Sequence, residues 1–463
     1  MTLIKSISGI RGTIGGKPGA GLSPLDIVKF TASFATILKQ QSPDKNSVVV
    51  GRDARVSGQM VSQLVISTLA AMGLNVVDIG LAATPTVEMA VTDLNAGGGV
   101  IVTASHNPWQ WNALKLLDEK GEFISGETGE QLLAIADAED FTFAEADKLG
   151  QISYDDTQLR KHIEKILNLP YVNSFAIKMA KFRVAVDAVN SVGGIAVPLL
   201  LKSLGVEMID ELHCEPTGKF AHNPEPLPEH LSEISKLVEK NKAHVGFVVD
   251  PDVDRLAIIC EDGGFFGEEY TLVAVADYVL SIRKGNTVSN LSSTQALRDI
   301  TEKAGCKYFS SAVGEVNVVA RMKEVDAIIG GEGNGGVILP ELHYGRDALV
   351  GIAIFLSMLA ESGKRCTALR NTFPDYFVSK NKIQLSDDMD VDKILAAVAE
   401  KYKNHPLNTI DGVKIEFDKE WVHLRRSNTE AIIRIYSESD SMVKAEVLAG
   451  KLLNDIKDIL RSG

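Results

Sequence analysis

Two rhythms of apolar and polar residues alternate along this chain, and one order of them occurs three times. A β-branched run and polar loop, "SVVVGRDARVSG" (47–58), leads to the amphipathic stretch "MVSQLVISTLAAMG" and then to a second short run, "NVVDIG". The same order returns as "FRVAVDAVNSVGG" (182–194), "IAVPLLLKSLG" and "VEMIDE". It returns once more as "NTVSNLSSTQ" (286–295), "ALRDITEKAG" and "CKYFSS". Strand, helix and strand at this spacing predict a βαβ unit and parallel pairing. Each unit is followed by one more apolar run that ends in a chemically loaded loop. These are "GGGVIVTASHNP" (97–108), "HVGFVVDPDVDR" (244–255) and "DAIIGGEGNGG" (326–336). Ligands of open α/β sheets bind beyond the carboxyl ends of strands, and all three loops fall at that end.

The last ninety or so residues follow another pattern. "GVKIEFDKEWVHLRRSNTEAIIRIYSES" (412–439) reads as alternating strands joined by a polar turn, and "SMVKAEVLAGKLLNDIKDIL" as an amphipathic helix. A small α+β domain is expected there. "ALVGIAIFLSMLA" (348–360) is apolar throughout but too short to span a bilayer, so it predicts a buried helix. The Pro-rich "PTGKFAHNPEPLPEH" (216–230) predicts a surface loop.

Length and charge narrow the picture. At 463 residues the chain exceeds one hydrophobic core, and three or four domains are expected. A net charge of −13 speaks against a nucleic-acid partner, which needs clustered Lys and Arg. An anionic substrate would have to be met by local positive charge. Cys214, Cys260, Cys306 and Cys366 lie far apart with no CxxC pair, so neither a zinc cluster nor a thioredoxin-like motif is expected. "MTLIKSISGIRG" lacks the apolar core of a signal peptide. A cytoplasmic protein with reduced thiols and no membrane partner is the expectation.

"DPDVDR" places Asp250, Asp252 and Asp254 within five residues. Carboxylates this close repel unless a cation or protons neutralise them, and hard oxygen ligands favour Mg²⁺ or Ca²⁺. A calcium loop does not fit, because Arg255 stands where that loop needs Gly. "GEGNGG" (331–336) matches G-x-G-x-x-G, but Pro340 follows where a dinucleotide fold needs a helix, and Glu332 would repel a pyrophosphate. Binding of hydroxyl groups through Glu332 and Asn334 fits better. "RRSNTEAIIR" (425–434) sets Arg425, Ser427, Asn428, Thr429 and Arg434 around one turn, a suitable donor set for a phosphate. Arg11 sits between glycines in "SGIRG", and Arg52, Asp53 and Arg55 read either as structural ion pairs or as an anion site. Lys115 follows an apparent turn. Ser105 leaves a strand in a His-Asn-Pro setting with neither a GxSxG elbow nor an assignable Asp–His pair, so a hydrolase triad is unsupported. A serine that carries a phosphoryl group held by Mg²⁺ needs no triad.

Four motifs in order, "TASHNP", "DPDVDR", "GEGNGG" and "RRSNTEAIIR", resemble the phosphoserine, magnesium, sugar and phosphate loops of the α-D-phosphohexomutases. That family comprises the phosphoglucomutases, phosphomannomutases and phosphoglucosamine mutases. The resemblance implies three related mixed-sheet α/β domains (1–155, 156–262 and 263–372) and a smaller C-terminal α+β domain (373–463) around a central cleft. It implies catalytic roles for Ser105, His106, Arg11 and Lys115, and Mg²⁺ held by phosphorylated Ser105 with Asp250, Asp252 and Asp254. Arg255, Glu332, Asn334, Arg425, Ser427, Asn428, Thr429 and Arg434 would bind substrate. The reaction implied interconverts hexose 6-phosphate and 1-phosphate, with a glucose or glucosamine 1,6-bisphosphate as intermediate and activator, in a monomer or homodimer. Departures exist: Asn334 and Gly336 replace a serine and a histidine of the usual sugar loop, Arg426 and Ala431 replace prolines, and Lys115 lies in "NALK" instead of "NGxK". The role of that histidine is therefore not carried over. "SISGIRG" with "GEGNGG" is most similar to phosphoglucosamine mutases of the archaeal type, which points to glucosamine phosphates. A phosphomannomutase or phosphoglucomutase is the alternative. A nicotinamide-dependent oxidoreductase and a non-catalytic sugar-phosphate sensor are distant ones.

Overall fold

The computed structural model describes residues 2–6, 9–384, 390–426 and 432–462. The chain divides into two compact units: Met1–Thr271 with Asn334–Leu369, and Leu272–Gly333 with Arg370–Gly463.

The first unit opens with seven strands: β1 (Leu3–Ser6), β2 (Gly9–Thr13), β3 (Ser47–Arg52), β4 (Asn75–Leu81), β5 (Gly98–Val102), β6 (Trp111–Leu117) and β7 (Ile152–Tyr154). Their order in the sheet is β1-β2-β6-β5-β3-β4-β7. The first repeat is the βαβ unit that its pattern predicts: β3, helix Gly58–Ala71 and β4, with β3 parallel to both β4 and β5. The run "SVVVGR" is apolar without alternation because both faces of β3 are covered. Val48 and Val50 join one core cluster with Ile27, Phe34, Val61 and Val65, whereas Val49 joins another with Val87, Val91 and Ile101.

The second repeat gives β8 (Arg183–Asp187), helix Gly193–Ser203 and β9 (Met208–Leu212), followed by β10 (Val245–Val249) and β11 (Leu256–Cys260) in the order β11-β10-β8-β9. One feature departs from the parallel pairing that periodicity alone suggests. After each loaded loop the chain turns straight back, so β6 lies antiparallel to β5 and β11 antiparallel to β10. The sheets are therefore mixed. Lys115 follows the turn at 109–110, as expected, and sits within β6.

The third repeat lies in the second unit as β12 (Asn286–Asn290), helix Ala296–Lys303, β13 (Tyr308–Ser311) and β14 (Ala327–Glu332), with β12 parallel to β13 and β14. The chain then returns to the first unit, where β15 (Gly336–Ile338) precedes helix Ala348–Ser362. That helix is buried from Ala348 to Leu359, as its all-apolar sequence requires. Asp347 caps it: Oδ1 accepts from the amides of Leu349 (2.8 Å) and Val350 (3.3 Å), while Oδ2 lies 2.9 Å from His162 Nε2.

The C-terminal part is α+β. β16 (Phe377–Gln384), β17 (Leu407–Asn408), β18 (Val413–Phe417), β19 (Glu420–Arg426) and β20 (Ile432–Ser439) form one antiparallel sheet in the order β16-β20-β19-β18-β17. Val413, Ile415, Val422, Leu424, Ile433 and Ile435 turn one face toward helices Val391–Lys401 and Met442–Ser462, giving the period-two alternation of the sequence. The opposite face is also buried. There Lys414 Nζ donates to Leu291 O at 2.9 Å, and His423 Nδ1 lies 2.8 Å from Ser292 Oγ.

Candidate active site

Ser105 belongs to the connection between β5 and β6, and the three aspartates to the connection between β10 and β11. Both loops start at the carboxyl ends of parallel strands. Each contains a non-glycine residue in the left-handed backbone region, Ser105 at φ 46° and Val253 at φ 63°. Such conformations persist only where the surroundings over-determine them.

The surroundings of Ser105 are specific. Its amide donates to Thr103 Oγ1 at 3.0 Å, and Thr103 Oγ1 in turn donates to Asp53 Oδ2 at 2.7 Å. Asp53 also accepts from Arg55 Nε at 3.0 Å. The fully buried Arg55 guanidinium then holds the backbone carbonyls of Ser105, Asn107 (2.7 Å), Pro108 (2.8 Å) and Trp111 (2.9 Å). Arg55 is thus the frame of the serine loop. Arg52, by contrast, donates to the Asp53 carbonyl at 3.1 Å. An Arg55→Lys variant offers a point charge in place of a planar fork and leaves buried carbonyls unmet. It is expected to lose about 3 kcal/mol of stability in urea denaturation. A loss below about 1 kcal/mol would refute this role.

The Ser105 hydroxyl donates to Asp250 Oδ2 at 2.8 Å, and His106 Nδ1 lies 3.3 Å from the same Oγ. Asp250 Oδ1 accepts from the amides of Asp254 and Arg255, both at 3.1 Å. Asp252 Oδ2 accepts from Lys115 Nζ and from Thr84 Oγ1, each at 2.7 Å. Asp254 Oδ2 accepts from Arg346 Nη2 at 2.7 Å and from Lys115 Nζ at 3.4 Å. Two oxygens remain: Asp252 Oδ1 and Asp254 Oδ1 are buried without a hydrogen-bond partner. Ligand oxygens of the three aspartates lie within 4.8 Å of one another. Buried carboxylate oxygens left open in this way suit a hard divalent cation.

Electrostatics agrees. Burial, and after it the charges of Asp254 and Asp252, push the Asp250 carboxyl well above the ordinary range. Burial acts the same way on Asp252, but Lys115 outweighs it and holds that carboxyl low. Burial disfavours the Lys115 ammonium, yet Asp252 and Asp254 raise its pKa above the ordinary value. Burial, then the charge of Arg255, drives the His106 imidazole well below its usual pKa, so it is neutral at pH 7. Burial likewise lowers Arg11, whose Nη1 reaches Asn107 Oδ1 at 3.5 Å in the serine loop.

Ser105, His106, Arg11, Lys115 and the three aspartates thus converge. Arg255 lies at the end of the aspartate loop, with its Nη1 on Glu225 Oε1 at 3.1 Å. The other proposed ligands belong to other segments of the chain. Glu332 ends β14 in the second unit and accepts from Asn290 Nδ2 (2.9 Å) and the Gly314 amide (3.2 Å). Asn334 belongs to the first unit, and its Oδ1 accepts from the Gly336 amide at 3.2 Å. No helix begins in "GEGNGG", which connects β14 to β15, so the dinucleotide geometry is missing. Arg425 and Arg434 are cross-strand partners on β19 and β20. Arg425 Nη1 lies 3.5 Å from Asp411 Oδ2, and Arg434 Nη1 donates to Tyr436 Oη at 3.3 Å. Ser427, Asn428 and Thr429 lie outside the described residues. Thr84 and Arg346 escaped the sequence reading. Neither stands in a recognisable motif, and each reaches the site only through the fold.

Mixed α/β domains with a serine loop and a buried carboxylate cluster side by side define a class: α/β enzymes equipped for cation-assisted group transfer. The chain belongs to the phosphoglucomutase/phosphomannomutase family, whose members are isomerase-class mutases. The family's alpha/beta/alpha domains I, II and III match residues 3–143, 160–264 and 267–376, and its C-terminal domain matches 382–454. A phosphoglucomutase/phosphomannomutase of Thermococcus kodakarensis is 37% identical over 92% of this chain and 92% of its own length. A protein of Methanopyrus kandleri named "Probable phosphoglucosamine mutase" is 32% identical over 90% of each chain. The crystal structure of a phosphoglucomutase/phosphomannomutase family protein from Burkholderia thailandensis superposes with a TM-score of 0.85 at 26% identity, covering 100% of this chain and 98% of that one. Among the described residues, no helix is long and apolar enough to cross a membrane.

Proposed function

We propose that this cytoplasmic phosphohexomutase interconverts glucosamine 6-phosphate and glucosamine 1-phosphate through a phosphorylated Ser105. The observation that carries the mechanism is the Ser105 hydroxyl, 2.8 Å from Asp250, in a cluster where two buried carboxylate oxygens have no hydrogen-bond partner. In the first half-reaction the bond from phosphorus to Ser105 Oγ breaks, and a bond from phosphorus to a sugar hydroxyl oxygen forms. The sugar hydroxyl gives its proton to a base and the leaving Ser105 Oγ takes one up, and both transfers reverse in the return step. The resulting glucosamine 1,6-bisphosphate turns over, and its other phosphoryl group returns to Ser105 Oγ. Asp250, Asp252 and Asp254 would hold Mg²⁺, which when bound draws charge from the phosphoryl oxygens. Lys115 supplies fixed positive charge beside the transferring group, and Arg11 and His106 order the loop that presents it. Glu332 and Asn334 would read sugar hydroxyls. Arg255, Arg425, Ser427, Asn428, Thr429 and Arg434 would grip the non-reacting phosphate.

The archaeal relatives named as phosphoglucosamine mutases support the amino sugar, at 30–32% identity. The Thermococcus kodakarensis relative, at 37%, supports a second reading in which glucose or mannose phosphates are preferred. Coupled assays with glucosamine, glucose and mannose phosphates decide between them. The amino sugar is expected to show the highest kcat/KM. A value about tenfold higher for glucose or mannose, some 1.4 kcal/mol of transition-state preference, would establish the second reading.

A further inference from the structure

A second group of ligand-type side chains lies in the first unit, at the carboxyl ends of β8 and β9. Asp187 ends β8, His213 follows β9 directly, and His222 comes from the Pro-rich segment. Asp187 Oδ2 is 3.3 Å from His213 Nδ1 and 3.1 Å from His222 Nε2. One ligand atom from each residue falls within 4.8 Å of the others.

Three features point to a metal ion. First, a tetrahedral ion with bonds of about 2.0–2.1 Å separates its ligand atoms by roughly 3.3–3.4 Å, close to both observed spacings. Second, each imidazole has a polar partner for its other nitrogen. His222 Nδ1 faces the Asn223 carbonyl at 2.7 Å, and His213 Nε2 lies 3.4 Å from Glu233 Oε2. Metal-binding histidines characteristically give that second N–H to a carbonyl or carboxylate. A carbonyl only accepts, so His222 carries its hydrogen on Nδ1. Its Nε2 faces Asp187 Oδ2, the side on which an ion would sit. Third, access is graded. The Asp187 side chain is 1% exposed, but those of His213 and His222 are 18% and 16% exposed, so an ion has an entry path and an open fourth position. The Asp187 carboxylate is fixed by the Val189 amide on Oδ1 at 3.0 Å. Cys214 stands apart, with its thiol turned to the Leu212 carbonyl at 3.4 Å.

We propose that Asp187, His213 and His222 bind a divalent transition-metal ion of the zinc class, separate from the aspartate cluster beside Ser105. Two nitrogen ligands favour such an ion over Mg²⁺. The ion clasps the segment after β9 onto its sheet. That segment puts Phe220 5.1 Å from the Arg55 guanidinium, Glu225 on Arg255, and Gly218 against the Ala54 backbone, where a Cβ would collide. The clasp thus steadies the frame of the serine loop from outside.

Co²⁺ titration of the wild-type protein in excess Mg²⁺ tests this without reference to any sugar. A nitrogen-ligated, four-coordinate Co²⁺ absorbs strongly in the visible, whereas Co²⁺ at an all-oxygen six-coordinate site absorbs weakly. One equivalent with the strong band is expected, and Zn²⁺ should displace it. His213→Asn and His222→Asn should each weaken binding at least about tenfold, and Glu233→Ala by about tenfold through the lost N–H partner. Anomalous scattering from Zn²⁺-soaked wild-type crystals should place the ion between the three side chains, whatever the variants' stability. Absence of the strong band, an unchanged band in both histidine variants, or anomalous density at the aspartates alone would overturn the proposal and leave the cluster an ion pair.

Discussion

Ser105→Ala is expected to reduce mutase turnover by about 10⁴-fold or more while leaving the protein folded. The side chain contributes a hydrogen bond to Asp250 and a longer one with His106, and the backbone at φ 46° strains alanine as much as serine. Thermal denaturation should shift by only a few degrees, corresponding to about 1 kcal/mol. Intact-mass measurement should find one phosphoryl group on the wild-type protein and none on the variant. Peptide mapping should put it on the Ser105 peptide. Near-normal turnover in the variant would exclude the phosphoserine route, because no other hydroxyl in the described serine loop reaches the aspartates.

Lys115→Met should be the largest stability loss at the site. Lys115 Nζ is 2.7 Å from Asp252 and 3.4 Å from Asp254, and the side chain is 8% exposed. Removing one partner of a buried ion pair typically costs about 3–5 kcal/mol, since the other charge stays buried without compensation. Here two carboxylates lose a cation at once. Millimolar Mg²⁺ should restore a substantial part of the lost stability by supplying charge to the same oxygens, and should stabilise the wild type less. Turnover at saturating Mg²⁺ should still fall about 10²-fold, because the fixed charge beside the phosphoryl group is missing. A variant that melts like wild type, with no added response to Mg²⁺, would show that Lys115 does not balance the cluster.

The parts of this site that were legible in the sequence are those built from neighbours along the chain. "TASHNP" and "DPDVDR" each end an apolar run, and periodicity placed both at carboxyl ends of strands, where they are. The repeats of strand, helix and strand are readable chiefly because β3, β8 and β10 are buried along most of their length and run apolar through their middles. What periodicity does not encode is the direction in which the next strand returns. The antiparallel β6 and β11 are therefore not readable from the repeats, and the mixed sheets are expected only from the family resemblance. Contacts made at a distance were harder still. Thr84 reaches Asp252 across 168 residues, and Arg346 reaches Asp254 across 92. A helix start with Thr-Pro and an arginine before a capping aspartate look ordinary in isolation. Arg55 was visible but open to two readings, and the structure makes it a frame instead of an anion ligand. The Pro-rich segment after β9 is the largely exposed loop its composition suggests, and it anchors itself through buried Gly218, Pro224 and Pro226.

The way Arg55 works has a consequence for how this loop can change over time. Its guanidinium holds carbonyl oxygens of Ser105, Asn107, Pro108 and Trp111, and every amino acid supplies a carbonyl. The loop's path is therefore indifferent to most of the side chains it displays. Positions 109 and 110 can drift, or be randomised in the laboratory, without the serine leaving its place. One buried residue, contributed by a different strand–helix connection, frees its distant neighbours to explore new substrates.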